Sequence, residues 1–145
     1  MVSRSTGRAT ARPATEPDST AATRRPFPVA RAFPSTPIIL NHTGLPSDRS
    51  VEGIAGWKKA MTTLAAQPNV NVKISGLGQA GQAWTPAANG DIVRTVIDLF
   101  GVSRCMFASN FPVDSLCASF ATIFGGFRDI VADLPADAQR ALFRD

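Results

Sequence analysis

The chain has 145 residues, of which 44% are hydrophobic and 18% are charged. This composition is typical of a globular chain of about one domain, whereas a complete eight-stranded α/β barrel takes about 250 residues. No apolar run approaches the roughly 20 residues that cross a bilayer, which argues against a membrane protein. Two cysteines make no disulfide scaffold, so we expect a cytoplasmic protein with reduced thiols.

The formal net charge of +4 is confined to the start of the chain. Residues 1–37 contain six arginines and two acidic residues, whereas residues 38–145 contain nine basic and nine acidic residues. A neutral folded part lacks the basic surface that binds phosphate backbones. Nucleic acid is therefore not an expected partner.

Residues 1–37 also contain six of the eleven prolines, many Ser, Thr and Ala residues, and few large apolar residues. Such a segment buries too little surface to offset the entropy of ordering it, so we expect a disordered, non-catalytic tail. Two alternatives stay open for this segment: a transit peptide, against which the prolines argue, and a start that is not native to the domain.

From residue 38 onwards, short apolar runs alternate with helical patterns. Strands are predicted over 38–40, 70–75 and 105–110. The helices expected between and after them are one that includes Trp57, Met61, Leu64 and Ala65, one from Pro86 to a C-terminal cap at Gly101, a long one over 116–134 and a short one after Pro135.

This β-α-β-α-β-α order predicts parallel strands joined by crossover helices. The interval from His42 to Ser75 is 33 residues and that from Ser75 to Asn110 is 35, close to the roughly 30 residues of one βαβ unit. The polar residues that end the three strands should then meet on one rim, beyond the carboxyl ends of the strands, where ligands bind in such folds. An open three-stranded sheet leaves edges and a face to cover, which indicates either part of a larger barrel or self-association.

Three segments, 39–46, 68–77 and 104–113, resemble the amidohydrolase-related (amidohydrolase 2) hydrolases of the TIM-barrel superfamily, in their lactonase-like branch. The resemblance covers residues 38–145 and implies a C-terminal portion of that family's domain. The implied fold is α/β, a partial TIM (β/α) barrel of about three C-terminal βα units. The implied reaction is attack of activated water on a small lactone, amide or related carbonyl substrate.

The resemblance also implies catalytic roles for His42 and Asn110. His42 matches a strand-end histidine that binds metal or polarises a substrate carbonyl, and imidazole suits either role. Asn110 stands where the family usually presents an aspartate that acts as general base, and a carboxamide cannot take a proton at neutral pH. Two plain alternatives are a backbone-bonded histidine and an asparagine that caps the loop before Pro112.

Lys73 and Ser75 share one face of the second strand, opposite Val70, Val72 and Ile74. We interpret both as substrate-binding residues, and a lysine among apolar layers needs a partner such as a substrate carboxylate. The alternative is structural pairing inside the barrel. The cofactor is left unknown: the family implies zinc or manganese, with His42 as one ligand, but its His-x-His pair is absent from a chain with one histidine.

Because the residues before 38 cannot hold five further strands, we expect little turnover from this chain alone. The alternative function is a catalytically inactive half-barrel, or a subunit completed by a partner chain. The expected partners are a small-molecule substrate and either a complementing chain or a second copy.

Overall fold

The computed structural model describes residues 26–143. The helices are α1 (Pro26–Ala32), α2 (Val51–Ala65), α3 (Pro86–Phe100), α4 (Phe120–Ile130) and α5 (Ala136–Phe143). The strands are β1 (Ile38–Leu40), β2 (Val70–Ile74) and β3 (Cys105–Phe107), and short 3-10 turns occupy His42–Gly44, Val102–Arg104 and Val113–Leu116.

The three strands form one parallel sheet in the order β1-β2-β3. Ile38 pairs with Val70 at one end of the β1–β2 ladder, and Ile74 pairs with Phe107 at the end of the β2–β3 ladder. The two crossovers contain α2 and α3, and a helix is the usual connection between parallel strands. The predicted α/β class with three parallel βα units is confirmed.

Local sequence signals set the bounds of the helices. Ser50, Thr85 and Ser119 each precede a helix and accept a hydrogen bond from a backbone N–H three residues later, which satisfies a donor that the first turn leaves free. The predicted cap at Gly101 is confirmed, because its φ of 76° ends α3 while its N–H donates to Ile97.

The hydrophobic core lies between the sheet and the helices. Val70, Val72 and Ile74 are fully buried on the helix side, whereas Lys73, on the opposite face of β2, is only half-buried. Ile39 lies in β1 and is 50% exposed. The helices therefore cover one face of the sheet and leave the other open, as the inner face of a partial barrel would be.

Residues 26–37, the last part of the segment expected to be a disordered tail, are described by the structure, and residues 1–25 lie outside the described part. Helix α1 lies in this stretch, with Ala30 1% exposed. The side-chain amide nitrogen of Asn69 lies 3.0–3.1 Å from the carbonyl oxygens of Ala30, Phe33 and Thr36. A bond from a residue more than 30 positions away holds the segment, so its own composition did not reveal it.

The long helix predicted over 116–134 is also divided differently. A 3-10 turn ends at Leu116, which is 87% exposed, and α4 begins only after its cap at Ser119. Leu116 therefore belongs to no buried helical face. The spacing of apolar residues in the sequence had placed this residue, which precedes α4, inside the predicted helix.

Candidate functional site

The candidate site begins in a left-handed turn immediately after β1. His42, Thr43, Gly44 and Leu45 have φ values of 55°, 57°, 69° and 53°. A β-branched residue such as Thr43 is rarely found there, and each strained non-glycine residue costs about 1–3 kcal/mol. The surrounding structure must therefore hold this turn in place.

Thr43 provides that support from a fully buried position. Its Oγ1 donates to the carbonyl oxygen of Ser75 at 2.8 Å and accepts from the Ser75 N–H at 3.1 Å. Its own carbonyl oxygen accepts from Trp57 Nε1 at 2.9 Å. The turn after β1 is thus bonded to the end of β2 and to helix α2, and the backbone at His42 is fixed by both.

This arrangement brings His42 and Ser75 together. His42 Nδ1 lies 3.1 Å from Ser75 Oγ, and Ser75 is 1% exposed. Glycine at 76 permits the approach, because a Cβ there would lie 2.8 Å from the Cβ of His42. With Nδ1 engaged by the serine, Nε2 is the ring nitrogen left to act. It donates in one tautomer and accepts or ligates in the other.

Asn110 follows β3 at the same end of the sheet, with a φ of 59° that asparagine tolerates better than most residues. Its Nδ2 donates to Asp114 Oδ1 at 2.9 Å. Asp114 lies in the 3-10 turn Val113–Leu116 and is 4% exposed. The structure thus places a buried carboxylate directly behind the asparagine.

The Lys73 side chain contacts neither the His42–Ser75 pair nor the Asn110–Asp114 pair. The Lys73 backbone is paired in register with Met106 across the ladder, and no described residue forms a hydrogen bond or an ion pair with the lysine side chain. Lys73 and Ser75 lie on the same face by strand alternation, but only Ser75 contacts His42.

Sequence reasoning missed Thr43 and Asp114. The signal for Thr43 is a hydroxyl next to the strand-end histidine, and that for Asp114 is an acidic residue four positions after Asn110. Neither residue type is informative without the contacts that bury it.

The donor set of the described residues does not fit a metal ion by itself. No group of three or more His, Cys, Asp or Glu side chains within residues 26–143 could hold one. His42, the one histidine of the chain, could supply a single imidazole ligand, whereas a catalytic zinc site takes three protein ligands.

Two surface cavities lie away from these residues. One, of about 470 Å³, lies between β3 and α5 and is lined by Met106, Phe107 and Leu142, among others. The other, of about 500 Å³, lies between α4 and α5. Neither is lined by His42 or Asn110, which lie at the carboxyl ends of the strands.

A sequence model of the amidohydrolase family matches residues 27–145, and the three parallel βα units described above agree with it. The chain belongs to the amidohydrolase family. The match begins within α1, which extends the family domain past the boundary expected at residue 38.

Among curated relatives, an uncharacterized protein, y4mH of Sinorhizobium fredii, is 47% identical over 81% of this chain and 39% of its own length. The L-fucono-1,5-lactonase of Burkholderia ambifaria is 39% identical over 63% of this chain and 31% of its own length. The chain therefore spans less than half of the length of these relatives.

A crystal structure of a Burkholderia multivorans amidohydrolase with bound HEPES superposes with a TM-score of 0.67 at 28% identity, covering 81% of this chain and 46% of that one. A second crystal form of it, with bound zinc, gives 0.66 at 27% identity, with the same coverage. In the described part of the chain, no helix has the length and apolar character to cross a membrane.

Proposed function

We propose that this chain supplies the C-terminal three βα units of a hydrolase that cleaves a small lactone by attack of water. The observation that carries the proposal is the contact of 3.1 Å between His42 Nδ1 and Ser75 Oγ at the carboxyl ends of parallel strands. This is the rim on which α/β barrels hold their substrates. The name of the Burkholderia lactonase supports a lactone rather than an amide.

In this proposal His42 acts on the substrate carbonyl. When Ser75 Oγ donates to Nδ1, the imidazole carries its proton on Nε2, which can donate to the carbonyl oxygen and stabilise the negative charge that develops as water attacks. Ser75 is too buried to touch substrate, so its part in binding is exerted through the orientation of His42.

Asn110 and Lys73 complete the proposed roles of this chain. Asn110 orients the water or hydrogen-bonds a substrate oxygen, because a carboxamide cannot act as the base. The Lys73 side chain has no hydrogen-bond or ion-pair partner among the described residues, and a substrate carboxylate or an acidic residue from further strands would compensate its charge. We assign no step to a metal ion, because the donor set here does not hold one.

The proposed activity requires groups beyond those described. An alternative function is therefore a catalytically inactive half-barrel, and it is favoured by the open face on which Ile39 is 50% exposed. A subunit completed by a partner chain has the same requirement for a covering element. The inactive half-barrel and the subunit completed by a partner chain differ in whether added strands restore turnover.

A complementation assay tests the proposal. The whole chain is mixed with the part of the Burkholderia ambifaria lactonase that it does not match, and hydrolysis of L-fucono-1,5-lactone is followed with and without added zinc. We expect little turnover from either part alone, and turnover in the mixture that His42→Gln abolishes and Lys58→Met, an exposed helix variant, leaves unchanged.

Turnover that His42→Gln leaves unchanged would refute the role of His42. A mixture that forms a complex by size-exclusion chromatography but hydrolyses no lactone would favour the inactive half-barrel. Lys73→Met is expected to raise KM rather than lower kcat if the lysine binds substrate.

A further inference from the structure

Asp114 is a buried carboxylate for which the proposed reaction has no role so far. It is 4% exposed, and no described basic side chain forms an ion pair with it. Its one side-chain hydrogen bond among the described residues comes from Asn110 Nδ2 at 2.9 Å. A buried charge needs such a bond, and the geometry of this bond constrains the asparagine in turn.

The constraint follows from what each group can donate. An ionised carboxylate only accepts hydrogen bonds, whereas a carboxamide has a donor end and an acceptor end. Asn110 must therefore turn its nitrogen towards Asp114, which directs Oδ1 the other way. No described residue donates to that oxygen, and Asn110 is half-buried, so an acceptor is left open at the rim.

The His42–Ser75 pair and the Asn110–Asp114 pair lie on either side of the short segment 76–78. His42 packs against Gly76, and Asp114 packs against Gly78, where an added Cβ would lie 3.1 Å from Asp114 Oδ1. Two residue steps span at most about 7 Å. The open oxygen of Asn110 and the free nitrogen of His42 therefore belong to neighbouring parts of one rim.

We propose that Asp114 is a positioning residue, which locks the Asn110 carboxamide so that Oδ1 accepts an O–H from a ligand at this rim. The O–H donor is either the attacking water or a ring hydroxyl of a polyhydroxy lactone. The proposal rests on the proposed function for its ligand, but the locked orientation is measurable without turnover.

The first test measures the orientation by NMR on the whole chain labelled with ¹⁵N-asparagine, which gives five side-chain amides. One Asn110 amide proton should exchange about tenfold more slowly than those of the exposed Asn41, the protection expected of one bond to a charged acceptor. Asp114→Ala should remove that protection, and Asp98→Ala, on the exposed side of α3, should not. Equal exchange in wild type and Asp114→Ala would overturn the proposal.

The second test separates positioning from a general structural role. In the complemented mixture, Asp114→Ala should lower kcat about 100-fold, the order of loss that misplacement of a reacting group causes. In an Asn110→Asp background the same change should not lower kcat, because both oxygens of a carboxylate accept without an orienting partner and because Asp114→Ala also removes the repulsion between two neighbouring carboxylates. An equal loss in both backgrounds would overturn the positioning role.

The two sources of the O–H are distinguished by substrate. If Asn110 accepts from water, Asp114→Ala slows L-fucono-1,5-lactone and δ-valerolactone, which has no ring hydroxyl, to the same extent. If it accepts from a ring hydroxyl, only the first is slowed. Should no mixture hydrolyse any lactone, the proposed function fails while the NMR result still decides the orientation of Asn110.

Discussion

Thr43→Val is expected to destabilise the fold more than its small change in shape suggests. The threonine Oγ1 bonds both the carbonyl oxygen and the N–H of Ser75, at 2.8 and 3.1 Å, in a fully buried position. Valine has nearly the same shape as threonine, so the substitution leaves almost no cavity and adds little cost in free energy from lost packing. Each buried peptide group left without a partner costs about 1–3 kcal/mol, so the two together predict a loss of about 2–6 kcal/mol.

Urea unfolding of the whole chain, followed by tryptophan fluorescence, measures this loss as a shift in midpoint at constant slope. The matched control is Thr62→Val. Its Oγ1 donates to the Lys58 carbonyl oxygen at the same 2.8 Å but in an exposed position on α2, so its loss should be within about 0.5 kcal/mol. Equal midpoints for the two variants would refute the inference that Thr43 holds the left-handed turn.

Two further predictions concern helix α4 and the cysteines. Gly126→Ala should destabilise the fold by about 1–3 kcal/mol, because the new Cβ would overlap the Trp84 ring. Gly125→Ala, where the new Cβ faces open space, should instead stabilise the fold by about 0.5–1 kcal/mol. Urea midpoints that shift in the same direction for both variants would contradict these opposite effects. Burial raises the pKa of the Cys105 thiol to about 12, so at pH 8 iodoacetamide should modify the half-buried Cys117 in the folded protein and reach Cys105 only in urea. Mass spectrometry that finds both thiols modified at equal rates without urea would contradict the buried position.

The topology was predictable because its signals are local and repeat. Each predicted strand begins with apolar residues and ends with polar ones, and the strand ends lie 33 and 35 residues apart, which suits parallel strands with a helix in each connection. The same alternation predicted that Ser75 and Lys73 lie on one face of β2. The cap at Gly101 could be located because glycine readily adopts the positive φ that often ends a helix.

The pairs at the rim were not predictable, because each depends on contacts between segments far apart in the chain. Thr43 looks like an ordinary loop hydroxyl until Ser75, 32 residues later, bonds to it twice. Asn69 gives no sign of holding α1, and that is why composition alone assigned residues 26–37 to a disordered tail. For Asp114 the missing information is burial, which changes a surface-type residue into one that must have a partner.

The strain in the turn after β1 gives a physical reason to regard the rim as a built site. Left-handed φ values at His42 and Thr43 cost free energy, and a loop that only joined β1 to α2 could avoid that cost. Here the cost is offset by bonds from Thr43 to the end of β2 and from Trp57 to Thr43. The result is an imidazole held by the neighbouring strand rather than by its own, so a change at the end of β2 should move His42 as surely as a change in the turn itself.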